Sequence, residues 1–201
     1  LVLYMLCLKL SFDQKKINKK SYQDKIKNLL SLSSLCKKTL LTDSKIQKTS
    51  STFVEAKGSM FLGRGYSFPI ALEGALKLKE LAYVHAEGYP AGEMKHGPLA
   101  LIEEGMPVVV LAPRDDHYKK TISNMQEVIA RGAKVLLITN KSKNEIQSEN
   151  IWETIEVENL SEDLLPFLTT IPLQKLAYYS AMQKGYDIDK PRNLAKSVTV
   201  E

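Results

Sequence analysis

Two hydrophobic patterns divide this chain near residue 58. Upstream, residues 21–57 predict helices, because apolar side chains recur at helical spacing among many lysines. Downstream, short continuous apolar runs alternate with longer segments of helical periodicity. We predict strands at 60–62, 108–112, 134–139 and 151–157, and helices at 69–86, 115–131 and 162–184, with a further helical turn at 99–103. This alternation is typical of a parallel sheet that carries helices on both faces.

In a sheet of this kind, a ligand binds beyond the carboxyl ends of the strands. The loop that follows Leu62 and begins Gly63-Arg64-Gly65 is therefore a candidate site. Gly-x-Gly alone is a weak signal, because it lacks the third glycine of a dinucleotide-binding fingerprint. The sequence also contains no metal-ligand spacing, so we expect neither a cofactor nor a metal.

The first ten residues, LVLYMLCLKL, are almost entirely apolar. They are too short to cross a bilayer, and no basic residue precedes them as in a signal peptide. The chain also begins with Leu1 rather than Met. We therefore expect residues 1–10 to be a helix severed from a preceding domain of a longer polypeptide, with a polar hinge over residues 11–20.

Charge is unevenly distributed along the chain. Residues 1–57 hold 12 lysines and 4 acidic residues, whereas residues 58–201 hold 16 basic and 19 acidic residues. The basic segment contains no arginine and few aromatic residues, which argues against binding to nucleic acid. We expect a solvated, lysine-rich helical surface. Cys7 and Cys36 are expected to be reduced thiols of a cytoplasmic protein.

Four ionisable residues are candidates for chemistry. Lys77 and Glu80 lie three residues apart in a predicted helix and so share a face. His96 precedes Gly97-Pro98, in a predicted turn, and Lys196 lies in the C-terminal segment. Each also has a plainer interpretation: a surface ion pair, a loop histidine or a mobile lysine. Together, a carboxylate, two amines and an imidazole suit proton transfer on a small sugar-like molecule.

Several longer motifs carry a family resemblance. They are FLGRG (61–65), PIALEGALKLKE (69–80), HAE (85–87), GEMKHGPLAL (92–101) and PRNLAKSVTVE (191–201). Through them the chain from about residue 60 onward resembles the second sugar-isomerase (SIS) domain of the glucosamine-6-phosphate synthases. The resemblance implies a flavodoxin-like, three-layer α/β sandwich over residues 58–186. Residues 11–57 are then a linker with helices, and residues 187–201 a C-terminal active-site tail.

The resemblance also implies roles for individual residues. Glu80 matches the carboxylate that shuttles a proton, and Lys77 the nearby amine that assists proton movement on substrate oxygens. His96 matches the ring-opening histidine, which in this family reaches the site from the neighbouring subunit. Lys196 matches the lysine that forms an imine with the ketose carbonyl, and Ala195 contributes backbone beside the sugar.

The chemistry accounts for these residue types. Conversion of a 2-keto sugar into a 2-amino aldose removes a proton from C1 and delivers one to C2. A single carboxylate over one face of the intermediate performs both transfers. An imine with Lys196 makes the C1 proton more acidic, because the iminium group withdraws electrons.

The expected function is that of an isomerase-domain fragment of the enzyme that makes glucosamine 6-phosphate from fructose 6-phosphate and glutamine. The glutaminase domain and the first SIS domain, with its Ser/Thr-rich phosphate loop, are expected elsewhere in the same polypeptide. We therefore expect the fragment to be inactive alone. A homodimer is expected, without membrane or nucleic-acid partners. Two alternatives remain: a non-enzymatic sugar-phosphate-binding SIS module, and a related amino-sugar deglycase or isomerase.

Overall fold

The computed structural model describes residues 1–140, 146 and 150–192. In this part of the chain, five strands form one parallel sheet in the order β2-β1-β3-β4-β5. The strands are β1 (Ser59–Gly63), β2 (Ala86–Pro90), β3 (Pro107–Leu111), β4 (Lys134–Thr139) and β5 (Glu153–Glu156). The predicted parallel α/β fold is confirmed. The central strand β3 is buried along its whole length, as its continuous apolar sequence predicts.

Helices cover both faces of the sheet and precede it. They are α1 (Val2–Asp13), α2 (Lys19–Thr39), α3 (Asp43–Glu55), α4 (Ser67–Ala82), α5 (Tyr118–Ile129) and α6 (Leu165–Gln183). Two short 3-10 helices, Ala91–His96 and Pro98–Leu101, lie between β2 and β3.

Two hydrophobic cores confirm the three-layer arrangement. On one face of the sheet, Phe61 packs with residues of α3, α4 and α6. On the other face, the neighbouring residues Met60 and Leu62 pack with Met94 of the first 3-10 helix and Met125 of α5. Successive side chains of a strand point to opposite faces, so β1 contributes to both cores. Consequently α4 and the first 3-10 helix lie on opposite sides of the sheet.

Strand β2 was not predicted from the sequence. The helix predicted for residues 69–86 ends at Ala82, where Tyr83 adopts a left-handed conformation with φ of 52°. The segment that follows, AEGYP, contains a glycine, a proline and only one fully buried residue. An edge strand tolerates such residues because one side of its backbone pairs with no neighbour. The continuous apolar run that identified the other strands is therefore absent from β2.

The N-terminal helices differ from the predicted boundaries. Helix α1 continues to Asp13 and α2 begins at Lys19, so the predicted hinge over residues 11–20 is shorter than expected. The side chain of Asn18 caps α2, with its Oδ1 atom accepting from the backbone N–H of Ser21 at 2.8 Å. The helical region 21–57 divides into α2 and α3.

One carboxylate ties the first two helices to the sandwich. The Tyr4 hydroxyl donates to Oδ2 of Asp163 at 2.9 Å, and the Lys25 ammonium group donates to the same atom at 2.6 Å. Much of α1 nevertheless faces outward, with Leu3 76% exposed. Within the residues that the structure describes, no helix combines the length and the hydrophobicity needed to cross a membrane.

Candidate active site

Three of the four charged residues of helix α4 cluster on one partly exposed side of the helix. Its buried positions recur every three or four residues, at Ala71, Ala75, Leu78 and Ala82, and pack into the first core. Glu73, Lys77 and Glu80 fall on the partly exposed side. The Nζ atom of Lys77 lies 2.7 Å from Oε2 of Glu80 and 3.7 Å from Oε1 of Glu73. The predicted pairing of Lys77 with Glu80 on one helix face is therefore present.

The charges of Glu73, Lys77 and Glu80, which we call the α4 triad, determine the protonation state of the Lys77 amine. The hydrogen bond to Glu80 raises the pKa of Lys77; burial partly opposes this, and the charge of Glu73 adds to it. Lys77 is thus held as an ammonium ion at neutral pH. An ammonium ion donates hydrogen bonds and does not act as a nucleophile, which suits assistance at substrate oxygens rather than imine formation.

His96 ends the first 3-10 helix. The buried side chain of Met94 anchors this helix in the second core, and Lys95 reaches α5 with its Nζ atom 3.0 Å from Oε1 of Glu127. The His96 side chain itself is 73% exposed, and its Nδ1 atom lies 2.7 Å from Oε2 of Glu93. This helix and α4, which carries Glu80, pack on opposite faces of the sheet.

Arg64, in the loop after Leu62 that the sequence marks as a candidate site, makes packing contacts with two other segments. The Nη1 atom of Arg64 donates to Oδ1 of Asn124 on α5 at 2.8 Å. A β-carbon at Gly92 would come within 2.8 Å of the same Nη1 atom, so the guanidinium group lies directly against the glycine backbone. Arg64 thereby joins the end of β1 to the segment that carries His96. This role is visible only in three dimensions, since the three residues are far apart in the sequence.

Lys196 and Ala195 lie outside the described residues. The last described residue, Arg192, lies at the C-terminal end of α4. Its backbone N–H donates to the Tyr83 hydroxyl at 2.6 Å, and its guanidinium carbon lies 4.1 Å from the centre of the Tyr83 ring. Tyr83 was not among the predicted site residues, although it follows Glu80 by only three positions.

The two larger of the cavities found among the described residues lie away from the α4 triad. One, of about 390 Å³, is lined by residues at the ends of α2 and β5, including Lys38, Thr42 and Glu158. The other, of about 420 Å³, lies where β1 and β2 begin, and includes His85 and Glu87. No group of three His, Cys, Asp or Glu side chains among the described residues is arranged to hold a metal ion.

Comparison of this chain with known proteins identifies a matching domain family and several similar enzymes. The SIS domain family matches residues 52–184. A glutamine–fructose-6-phosphate aminotransferase (isomerizing) of Bacteroides thetaiotaomicron is 50% identical over 200 residues, which cover 100% of this chain and 32% of the relative. The enzyme of the same name from Brucella abortus is 58% identical over 142 residues, covering 71% of this chain and 23% of the relative. The chain thus spans less than a third of the length of either relative.

Among solved structures, the chain resembles the C-terminal domain of glucosamine-fructose-6-phosphate aminotransferase from Francisella tularensis. The TM-score is 0.89 and the sequence identity 39%. The match covers 94% of this chain and 53% of that one. The α4 triad and the Tyr83–Arg192 contact thus lie within a fold known from this enzyme class.

Proposed function

This chain belongs to the SIS domain family, and from that premise we propose that it is the C-terminal isomerase domain of a glutamine–fructose-6-phosphate aminotransferase. The observation that carries the proposal is the 50% identity to the Bacteroides thetaiotaomicron enzyme over 200 residues. The hydrogen-bonded pair of Lys77 and Glu80 supports it, because that pair supplies a carboxylate and a charged donor on one helix face.

The proposed reaction assigns one task to each group. Lys196 attacks the C2 carbonyl of fructose 6-phosphate and forms an imine with loss of water. Glu80 takes a proton from C1 and delivers a proton to C2, while Lys77 donates hydrogen bonds to substrate oxygens. Before this proton transfer, ammonia released from glutamine displaces the Lys196 amine from C2 by imine exchange, which regenerates Lys196; the proton transfer then gives the 2-amino aldose, glucosamine 6-phosphate. A positioned acid/base group contributes on the order of 100- to 10,000-fold to the rate.

His96 is assigned to opening of the sugar ring in the site of a second copy. Its side chain is exposed, and the 3-10 helix that it ends packs on the opposite face of the sheet from α4; both observations support a homodimer in which each site combines residues of two chains. A cytoplasmic location is supported by Cys7 and Cys36, which are both free thiols.

A domain exchange tests the proposal. In the Bacteroides thetaiotaomicron enzyme, the matching 200 residues are replaced by this chain, and formation of glucosamine 6-phosphate from fructose 6-phosphate and glutamine is measured. We expect synthesis by the hybrid enzyme. A hybrid that folds, hydrolyses glutamine and binds fructose 6-phosphate without making product would contradict the proposal and favour a non-enzymatic sugar-phosphate-binding module.

Variants of the hybrid enzyme test the residue roles. Lys196→Arg keeps the charge but forms no imine, so it should abolish synthesis and borohydride trapping of fructose 6-phosphate while glutamine hydrolysis continues. Glu80→Gln should abolish synthesis but still trap. The matched control is Lys190→Arg, at an exposed lysine six residues before Lys196. Near-normal synthesis by Lys196→Arg would remove the imine role.

A further inference from the structure

We propose that Glu93 is a positioning residue for His96: its carboxylate holds the proton of the imidazole ring on Nδ1, which leaves Nε2 as the nitrogen that exchanges a proton with the substrate. This inference rests on the proposed function, because it assigns His96 to opening of the sugar ring. The observation that carries it is the distance of 2.7 Å between the Nδ1 atom of His96 and Oε2 of Glu93.

The 3-10 helix Ala91–His96 brings these two side chains together. A 3-10 helix has three residues per turn, so side chains three positions apart lie one above the other on the same side. Glu93 and His96 have this spacing, and their side chains are 60% and 73% exposed. The pair therefore points outward, toward the second copy of the chain in whose site the proposed function places His96.

The backbone beneath the pair is held on its inner side. The side chain of Met94, between the two residues, is fully buried in the second core. The Nζ atom of Lys95 lies 3.0 Å from Oε1 of Glu127 on α5. Gly97 ends the helix directly after His96, with a φ of 134° that favours glycine. Glu93 and His96 thus extend from a segment that packing, an ion pair and a fixed turn hold in place.

The contact determines which ring nitrogen carries the proton. A carboxylate only accepts hydrogen bonds, so the Nδ1 atom of His96 must be the donor to Glu93. The neutral ring then has its proton on Nδ1 and its lone pair on Nε2. An isolated histidine side chain prefers the opposite arrangement, with the proton on Nε2. Glu93 therefore selects the form of His96 that accepts a proton on its outer nitrogen.

This form suits the ring opening of a ketose. The bond between C2 and the ring oxygen breaks and its electron pair stays on that oxygen, while the C2 hydroxyl loses its proton and becomes the carbonyl. Nε2 of His96 takes this proton, and the imidazolium ion then gives it to the ring oxygen, so that no further reactant is needed. Between the two transfers the ring is positively charged, and the Glu93 carboxylate 2.7 Å away stabilises it.

The first test locates the ring proton in the 201-residue chain. NMR of the chain with 15N-labelled histidine, at about pH 9 where imidazole rings are neutral, distinguishes the two tautomers, and His96→Asn identifies the signals of His96. Glu93→Ala should lower the ratio of the Nδ1–H to the Nε2–H form of His96 about fivefold, because it removes one hydrogen bond.

The matched control for this test is Glu87→Ala. It removes a carboxylate from beside a different histidine, since Oε1 of Glu87 lies 3.4 Å from Nε2 of His85. The tautomer ratio of His96 should stay at the parental value in this variant. An unchanged ratio in Glu93→Ala, or an equal decrease in both variants, would overturn the proposal.

The second test uses the hybrid enzyme and measures the first-order rate constant of borohydride trapping at saturating fructose 6-phosphate. Only the open ketose forms an imine, so slower ring opening slows trapping. Glu93→Ala should lower the rate constant about fivefold, and Glu93→Gln should lower it less, because the amide oxygen still accepts a hydrogen bond. Glutamine hydrolysis should be unchanged in both variants.

A double-mutant cycle shows whether Glu93 acts through His96. In His96→Asn, spontaneous opening of the sugar ring in solution still supplies some open ketose, so a residual trapping rate can be measured. Adding Glu93→Ala to this variant should not lower the rate further. The same loss with and without His96 would show that Glu93 acts by another route, and the positioning role would be wrong.

The two proposals fail in different ways. If the parent hybrid synthesises product but Glu93→Ala traps substrate at the parental rate, the positioning role is wrong and the proposed function stands. If the parent hybrid neither synthesises nor traps, the proposed function is wrong and the positioning role falls with it. The tautomer ratio of His96 then still shows whether Glu93 holds the ring proton on Nδ1.

Discussion

The ammonium group of Lys77 donates a hydrogen bond to Oε2 of Glu80 over 2.7 Å, on the partly exposed side of α4. Glu73 lies one helical turn before Lys77, with its Oε1 atom 3.7 Å from the same ammonium group. Two carboxylates therefore share one amine, and the closer of them is the residue assigned to proton transfer.

This arrangement predicts that substitutions of Glu80 and of Glu73 change the pKa of Lys77 by unequal amounts. Glu80→Gln should lower the pKa of Lys77 toward its ordinary value of 10.5, because the hydrogen bond to Glu80 is the main cause of the increase. Glu73→Gln should lower it less, since Glu73 is farther away. NMR titration of the Lys77 side chain in the 201-residue chain measures both. A larger decrease with Glu73→Gln would contradict the assignment of Glu80 as the main partner.

Gly92→Ala should weaken the connection between the end of β1 and the His96 segment. The new β-carbon would lie 2.8 Å from Nη1 of Arg64, so the guanidinium group must move and lose its hydrogen bond to Asn124. We expect the free energy of unfolding to fall by about 1 kcal/mol, which lowers the Tm by about 2 to 4 °C in a chain of this size.

The control for this prediction is Gly58→Ala, where a β-carbon would make an ordinary contact of 3.5 Å with His85. The loss of stability caused by Gly92→Ala should also disappear when Arg64 is already replaced by Ala, as a double-mutant cycle would show. Equal losses with and without Arg64 would mean that another contact limits position 92.

Tyr4→Phe should change the alkaline stability of the chain. Burial, followed by the hydrogen bond to Asp163, raises the pKa of Tyr4 from 10.0 to about 12. Folding thus favours protonated Tyr4, whose contribution is complete below about pH 10 and is lost as the pH rises toward about 12. The variant should be less stable than the parent by about 1 kcal/mol near neutral pH.

Urea unfolding at a series of pH values measures this difference. The gap between the parent and Tyr4→Phe should narrow between pH 10 and about 12. Tyr66→Phe serves as the control, and its difference from the parent should stay near zero throughout. A gap that remained constant to pH 12 would show that folding does not raise the pKa of Tyr4.

The apolar side of α1 should cause the isolated 201-residue chain to associate. Leu3 and Leu6 are three residues apart, and both are largely exposed. We expect light scattering to give a mass above that of one chain, and Leu3→Gln with Leu6→Gln to lower it. The control pair is Leu30→Gln with Leu41→Gln, two leucines exposed elsewhere. An equal decrease in the control would indicate non-specific association.

The sequence predicted those features that depend on local pattern. Strands β3 and β4 were identified because they are buried on both faces and so are continuously apolar. Lys77 and Glu80 were paired because a spacing of three residues determines their relative position on any helix. Strand β2 was missed because an edge strand with Gly88 and Pro90 lacks both the apolar run and regular alternation.

Other parts of the candidate site could not be predicted because they depend on distant contacts. Arg64 contacts Asn124 across 60 residues, and Tyr83 contacts Arg192 across 109. The hydrophobic periodicity of the sequence does not indicate such pairs, because the folding of the chain around the sheet brings the two residues together. The left-handed conformation of Tyr83 was also unexpected, because glycine or asparagine more often occupies that position at the end of a helix.

The packing of α4 and the 3-10 helix that ends at His96 on opposite faces of the sheet has a genetic consequence. If each site takes Glu80 from one chain and His96 from the other, two inactive variants, one altered at Glu80 and one at His96, should complement each other and recover activity when their chains form a mixed dimer. A hybrid dimer of Glu80→Gln and His96→Asn chains contains one site with both native residues and one with neither. Random mixing of the two subunits should then recover about a quarter of the normal activity, whereas two alleles that both alter Glu80 should recover none.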